Sequence, residues 1–299
     1  MTTPADSAQI DAHQHYWDPS RGDYGWLTPA LPTLYRTFGP EDLAPLRTRC
    51  GVTRTVVVQA APTLEETRYL LGLARTDDSI AGVVGWVPLD DPLAPDTIAA
   101  LAREPKFLGV RPMLQDLPDD DWIAKADTAR AVEALIAHDL AFDALIFTRH
   151  APALETFIAR HPGLRVVVDH GAKPPISDDS RDDTRDDTAI SSAWTEAIVR
   201  LARFPHVFCK LSGLATEAAP HWNDATLEPY VAHLLATFGP QRLMWGSDWP
   251  VLGLNGDYEG WHACATRLLE GLSATERAAV FGANAAAFYR LRGRRTKPA

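Results

Sequence analysis

The chain is 299 residues long, 46% hydrophobic and 23% charged, with a formal net charge of -10. That composition builds a packed core rather than a disordered chain. Its acidic balance argues against a nucleic-acid partner, which needs a basic patch. No apolar run nears the ~18 residues of a membrane span, and "MTTPADSAQ" has neither the basic nor the apolar segment of a secretion signal. Cys50, Cys209 and Cys264 form no CxxC pair, which fits a reducing compartment. A soluble cytoplasmic protein is expected.

After a loose tail over residues 1–8, the first short apolar run is "QIDAH" (9–13), followed by "TVVVQ" (55–59). "TLEETRYLLGLAR" (63–75) then places Leu64, Leu71 and Ala74 near one helical face. "AGVVGWVPL" (81–89) and "FLGVRPML" (107–114) are the third and fourth runs. "DTARAVEALIAHDL" (127–140) opens on an aspartate cap and spaces Val132, Leu135 and Ile136 as a helix does. "AFDALIF" (141–147) and "LRVVVDH" (164–170) come fifth and sixth. Residues 177–188, "SDDSRDDTRDDT", repeat an Arg-Asp-Asp-Thr unit, have almost nothing to bury, and read as a solvated acidic loop.

The helical stretch "SSAWTEAIVRLARF" (191–204), the run "VFCKLSG" (207–213), the helical stretch "LEPYVAHLLATFGP" (227–240) and the run "RLMWGSD" (242–248) complete the alternation, with Gly239-Pro240 as a stop. Residues 293–299 form a basic tail. Eight near-continuous apolar runs alternating with amphipathic stretches predict an α/β fold, a single-domain (β/α)8 TIM barrel over 9–292. A doubly wound open sheet fits less well, because no Gly-rich phosphate loop follows the first strand.

In such a barrel the reacting groups sit at the C-terminal ends of the strands. Those ends carry His13 and His15, Gln59, Arg111, Asp169-His170 with Lys173 beyond, Lys210 with Ser212, and Ser247-Asp248. Residues i and i+2 of a strand share a face, so both strand-one imidazoles can point to the axis, a geometry that suits chelation of a zinc-like ion. A surface accident and a metal-free catalytic cluster are the other readings of the pair. Asp248 lies between Trp245 and Trp249, and desolvation there is expected to raise its pKa toward that of a general base; the alternative is a helix cap. Arg111, Lys173 and Lys210 are candidates for binding substrate oxygens, or else ion-pair partners of Asp116, Asp169 or Glu217. Trp26 and Trp86, among the tryptophans near strand-end loops, are candidates for a stacking wall, and His150 lies just past the fifth strand. Ser212 and Ser247 lack a G-x-S-x-G elbow.

Laid out this way, the sequence resembles the amidohydrolase superfamily, specifically the sugar-lactonase branch of its amidohydrolase 2 family. "IDAHQHYWDP" with "DYGWL", "VVVDHGAKPPI", "FCKLSGLATEA" and "FGPQRLMWGSDWPV" carry the resemblance in order along nearly the whole chain. It implies a hydrolase opening an aldonolactone such as L-fuconolactone or L-rhamnonolactone. Catalytic roles then fall on Asp248, His170 and His15, with substrate contacts from Arg111, Lys210, Gln59, Lys173, Trp26 and Trp86. His13, His15, His170 and Asp248 would hold one divalent ion, zinc before others, if the reaction uses a metal at all; "AFDALIFTRH" offers no lysine to bridge two. Relatives in the superfamily isomerise lactones or decarboxylate aromatic acids, and a non-catalytic binding barrel is the remaining reading. The expected partner is a small sugar lactone, with a homo-oligomer as the other association to consider.

Overall fold

The protein is described here by a computed structural model covering residues 8–176 and 190–291. Most of the expected N-terminal tail, the acidic loop 177–188 and the C-terminal tail 293–299 lie outside the described residues. Eight strands form one parallel sheet in sequence order: β1 Gln9–Gln14, β2 Val52–Val58, β3 Ile80–Gly85, β4 Phe107–Val110, β5 Ala141–Ala144, β6 Arg165–Val168, β7 Val207–Leu211 and β8 Leu243–Trp245. The sheet curls until its ends meet. Asp248 donates its backbone N–H to the His13 carbonyl (2.8 Å), and His15 donates to that of Trp249 (2.7 Å).

Helices return the chain between strands: α1 Pro40–Arg49, α2 Leu64–Thr76, α3 Ala94–Leu101, α4 Ala129–Ala137, α5 Ala151–Arg160 and α6 Ser192–Ala202. After β7 come the single turn α7 Leu214–Glu217 and then α8 Asp224–Phe238; after β8 come α9 Tyr258–Leu268, α10 Ala274–Ala278 and α11 Asn284–Phe288. The eight-stranded (β/α) barrel expected from the sequence is the observed fold. Among the described residues, no helix is long and apolar enough to cross a membrane.

The near-continuous apolar runs reflect burial on both faces of each strand. Ile10, Val56, Val84, Leu108, Val167 and Met244 form one cluster with Phe288 and Tyr289, separate from the larger cluster that strands make with the helices. The first fills the barrel interior, and the segment after α10 closes its floor.

Some boundaries differ from the sequence reading. The runs 81–89 and 107–114 leave the sheet at Gly85 and Val110, ahead of Pro88 and Pro112, which have no N–H to give a ladder. Arg111 therefore stands just past its strand. Asp127 does not cap α4: a 3₁₀ turn over Ala126–Thr128 winds directly into the helix. Helix α8 starts earlier than its apolar pattern, at a cap where the Asn223 side chain accepts the Thr226 N–H.

Strands β4 and β5 approach closely at Gly109, where a Cβ would fall 2.2 Å from the Ala141 carbonyl oxygen. Backbone on both sides leaves nothing to yield. Gly109→Ala should therefore cost at least about 2 kcal/mol, read as a lower midpoint in chemical denaturation.

Candidate active site

Strand β1 alternates at first: Ile10 and Ala12 belong to the interior cluster. Asp11 faces outward, accepting the Tyr258 hydroxyl at Oδ2 (3.1 Å) and the N–H groups of His13 (3.1 Å) and Ser247 (2.9 Å) at Oδ1. Burial pushes its carboxyl up to about 6. The pairing register with β2 then shifts between Asp11 and Gln14. Gln14 bonds outward to Thr55 (3.0 Å), and His13 and His15 both turn to the mouth.

Three imidazoles surround one carboxylate there. Asp248 Oδ1 lies 3.3 Å from His15 Nε2, 3.7 Å from His13 Nε2 and 3.8 Å from His170 Nε2. The rings themselves are 4.9 Å (His13–His15) and 4.4 Å (His13–His170) apart at their centroids. His170 and Asp248 end their strands in left-handed backbone, at φ 54 and 59. Each such residue costs about 1–3 kcal/mol and persists where its surroundings fix it. His170 Nδ1 is held by the Ser212 hydroxyl (2.9 Å) and His15 Nδ1 by the Val58 carbonyl (2.8 Å).

Burial sets the charge states. It lowers all three histidines, His170 to about 4, with Lys210 adding to the effect at His13 and Arg111 at His15. They are neutral at pH 7. For Asp248 the expectation from its tryptophan neighbours is corrected. Burial does act upward, but His170, the His15 hydrogen bond and His13 outweigh it and hold the carboxyl below the usual range. Its second oxygen faces the Thr216 hydroxyl (3.5 Å), so the side chain does not serve as a helix cap.

The cations take different places. Arg111, 3% exposed, puts Nη1 3.4 Å from His13 Nε2 and 3.6 Å from Asp169, and Nη2 donates to the Gln59 carbonyl. Its Nε has no hydrogen-bond partner among the described residues. Gln59 Nε2 donates to the Arg111 carbonyl (2.8 Å), while Oε1 is free of hydrogen bonds among the described residues. Lys210 is wholly buried beneath the rings, between Asp143 (2.6 Å) and Asp169 (2.9 Å). Lys173 pairs with Glu217 (3.3 Å).

Trp26 is 36% exposed, bonds the Ala60 carbonyl (2.7 Å) and meets Trp17 edge-on. Trp86 is half-buried one residue past β3, with its backbone bonded to Thr67. His150 lies apart from the cluster, with Nε2 3.0 Å from Asp120. Glu66, in the first turn of α2, accepts the N–H groups of Ala60 and Ala61 and so pins the turn after Gln59.

Two carboxylates at or below the mouth were not assigned from sequence, Asp11 and Asp143; Asp169, an expected ion-pair partner, pairs with Lys210 and lies 3.6 Å from Arg111. The first two had a signal, a charged residue inside an apolar strand. Two overlapping donor sets can hold a metal ion, His13–His15–Asp248 and His13–Asp169–His170, all buried.

A parallel barrel with histidines at the ends of β1 and β6 and an aspartate after β8 defines an amidohydrolase-type centre. The chain belongs to the amidohydrolase family, whose model matches residues 10–291. It is 51% identical to the L-fucono-1,5-lactonase of Burkholderia ambifaria, over 95% of this chain and 96% of that protein. Identity is 39% to the L-fucono-1,5-lactonase of Burkholderia multivorans, again over 95% and 96% of the two chains. A crystal structure of an amidohydrolase from Burkholderia multivorans with bound Zn superposes with a TM-score of 0.87 at 38% identity, covering 95% of this chain and all of that one.

Gly213 is what lets His170 sit where it does: φ is +68, and a Cβ would fall 2.6 Å from the ring. Gly213→Ala should displace His170, shift its ring proton resonances, and destabilise the fold by about 1–3 kcal/mol, measured by NMR and thermal melting.

Proposed function

We propose that the protein hydrolyses a sugar-acid lactone, an aldonolactone such as L-fucono-1,5-lactone or L-rhamnonolactone, to the aldonate. The observation that carries this reading is kinship: 51% identity over 95% of the chain to an L-fucono-1,5-lactonase. The centre supplies chemistry that matches. Asp248 is ionised at every working pH and stands among neutral imidazoles. It takes a proton from the water that attacks the lactone carbonyl carbon. A carboxylate held this low is a weak base, so its contribution rests on position rather than basicity. Arg111 and His13, which meet at 3.4 Å, stabilise the charge developing on the carbonyl oxygen. The tetrahedral adduct expels the ring oxygen, which takes the proton that Asp248 carries. The new carboxylic acid ionises in solvent, releasing one proton per turnover.

The donor set fits a divalent cation at one point in particular. A carbonyl only accepts, so His15 Nδ1 carries the ring proton toward Val58 and Nε2 turns a lone pair to Asp248 Oδ1, 3.3 Å away. Two acceptors facing each other call for a cation or a proton between them. His13, His15 and Asp248 would hold such an ion, with His170 beside them. Imidazole and carboxylate donors suit zinc. When bound, it would polarise the carbonyl and lower the pKa of coordinated water.

A pH-indicator assay over aldonolactones tests the reading. Asp248→Asn should lower kcat by about 10²–10⁴-fold. Wild-type protein that is folded and opens no lactone refutes the proposal; a rate that survives complete chelation removes the ion from it. The pH profile has a stated sign. His170 is lowered to about 4, so its neutral form dominates at all higher pH. The rate should stay level from pH 8 down to about 6 rather than break at an ordinary histidine pKa near 6.5.

A further inference from the structure

The lysine that sequence reasoning placed among the substrate contacts leads instead away from the mouth. Lys210 Nζ meets three groups: Asp143 Oδ2 at 2.6 Å, Asp169 Oδ1 at 2.9 Å and His13 Nδ1 at 3.0 Å. Asp143 Oδ2 also accepts the hydroxyl of Tyr289 at 2.7 Å. Tyr289 directly follows α11, in the segment that closes the barrel floor. Its side chain reaches up the interior, and Tyr289, Asp143, Lys210 and His13 stand in line, none more than 2% exposed. Both donors fall on one oxygen of Asp143, and Oδ1 has no hydrogen-bond partner among the described residues.

An apolar plug of similar volume would close the floor without burying charge, and buried ion pairs are often no more stabilising than such a plug. The line ends on a ring nitrogen of the centre itself. Nδ1 of His13 stands 3.0 Å from the Lys210 ammonium and 3.4 Å from Asp169 Oδ1, and the ring turns Nε2 the other way. That nitrogen faces Asp248 Oδ1 and Arg111.

We propose that Tyr289, Asp143 and Lys210 are positioning residues, an axial hydrogen-bonded line that sets the orientation of the His13 ring from the barrel floor. The catalytic consequence rests on the lactonase reading; the effect on His13 does not. Tyr289→Phe removes one hydroxyl and leaves the aromatic packing. It should melt within a few degrees of wild type, lower kcat about tenfold through a looser His13, and leave KM within about twofold. Asp143→Asn should lose more activity, and Asp143→Glu should recover part of it by restoring a carboxylate. Ring-nitrogen NMR of the whole protein should show the His13 signals displaced from their wild-type positions in Lys210→Met and in Tyr289→Phe.

Tyr289→Phe with kcat and His13 ring signals unchanged overturns the proposal, as do His13 ring signals unmoved in Lys210→Met. Should Asp143→Asn fail to fold, Tyr289→Phe and the Lys210→Met spectrum still decide. Should no aldonolactone turn over, the lactonase reading falls while the spectrum judges the line.

Discussion

Balancing buried charge is the constraint on which the centre depends. Asp143, Asp169 and Lys210 have no exposed surface, and Arg111 and Asp248 have almost none. Each would be intolerable alone in an apolar interior. Together they are held by opposite charges and by the neutral imidazoles around them. Burial would lift Asp169, yet Lys210, His13 and Arg111 keep it well below its ordinary range. The same burial lifts Asp143 to about 6 despite Lys210 and the Tyr289 hydroxyl, because Asp169 repels it from close by. Side chains that neutralise one another at fixed distance have little freedom to rotate, and the rigidity a reacting centre needs follows from that.

The two sides of the site divide the work. Below the rings, every cation has a counter-ion and no solvent. Above them, Trp26 is about one-third exposed and bonded to the turn that follows β2.

Much of this was legible in the sequence. Eight doubly buried strands gave continuous apolar runs, and the barrel rule placed His13, His15, His170 and Asp248 at one mouth, where the structure brings them together. What could not be read depended on direction rather than identity. Strand spacing alone does not say that the register shifts after Asp11, nor that Lys210 points beneath the rings instead of into the mouth. The lowered pKa of Asp248 arises from three histidines on strands distant in sequence, while its tryptophan neighbours were visible and suggested the opposite. Tyr289 gave no signal at all, because its partner Asp143 stands 146 positions earlier.

The seam of the barrel runs through the chemistry. The hydrogen bonds that join the first strand to the last involve His13, His15, Asp248 and Trp249, so the backbone that closes the cylinder is the backbone that carries the reacting groups. A chain that has folded seven of its eight units carries the three histidines but lacks the carboxylate they surround. On the ribosome, competence arrives only after the final strand emerges, some 230 residues behind the histidines it must meet. Closing the seam and completing the centre are therefore one event.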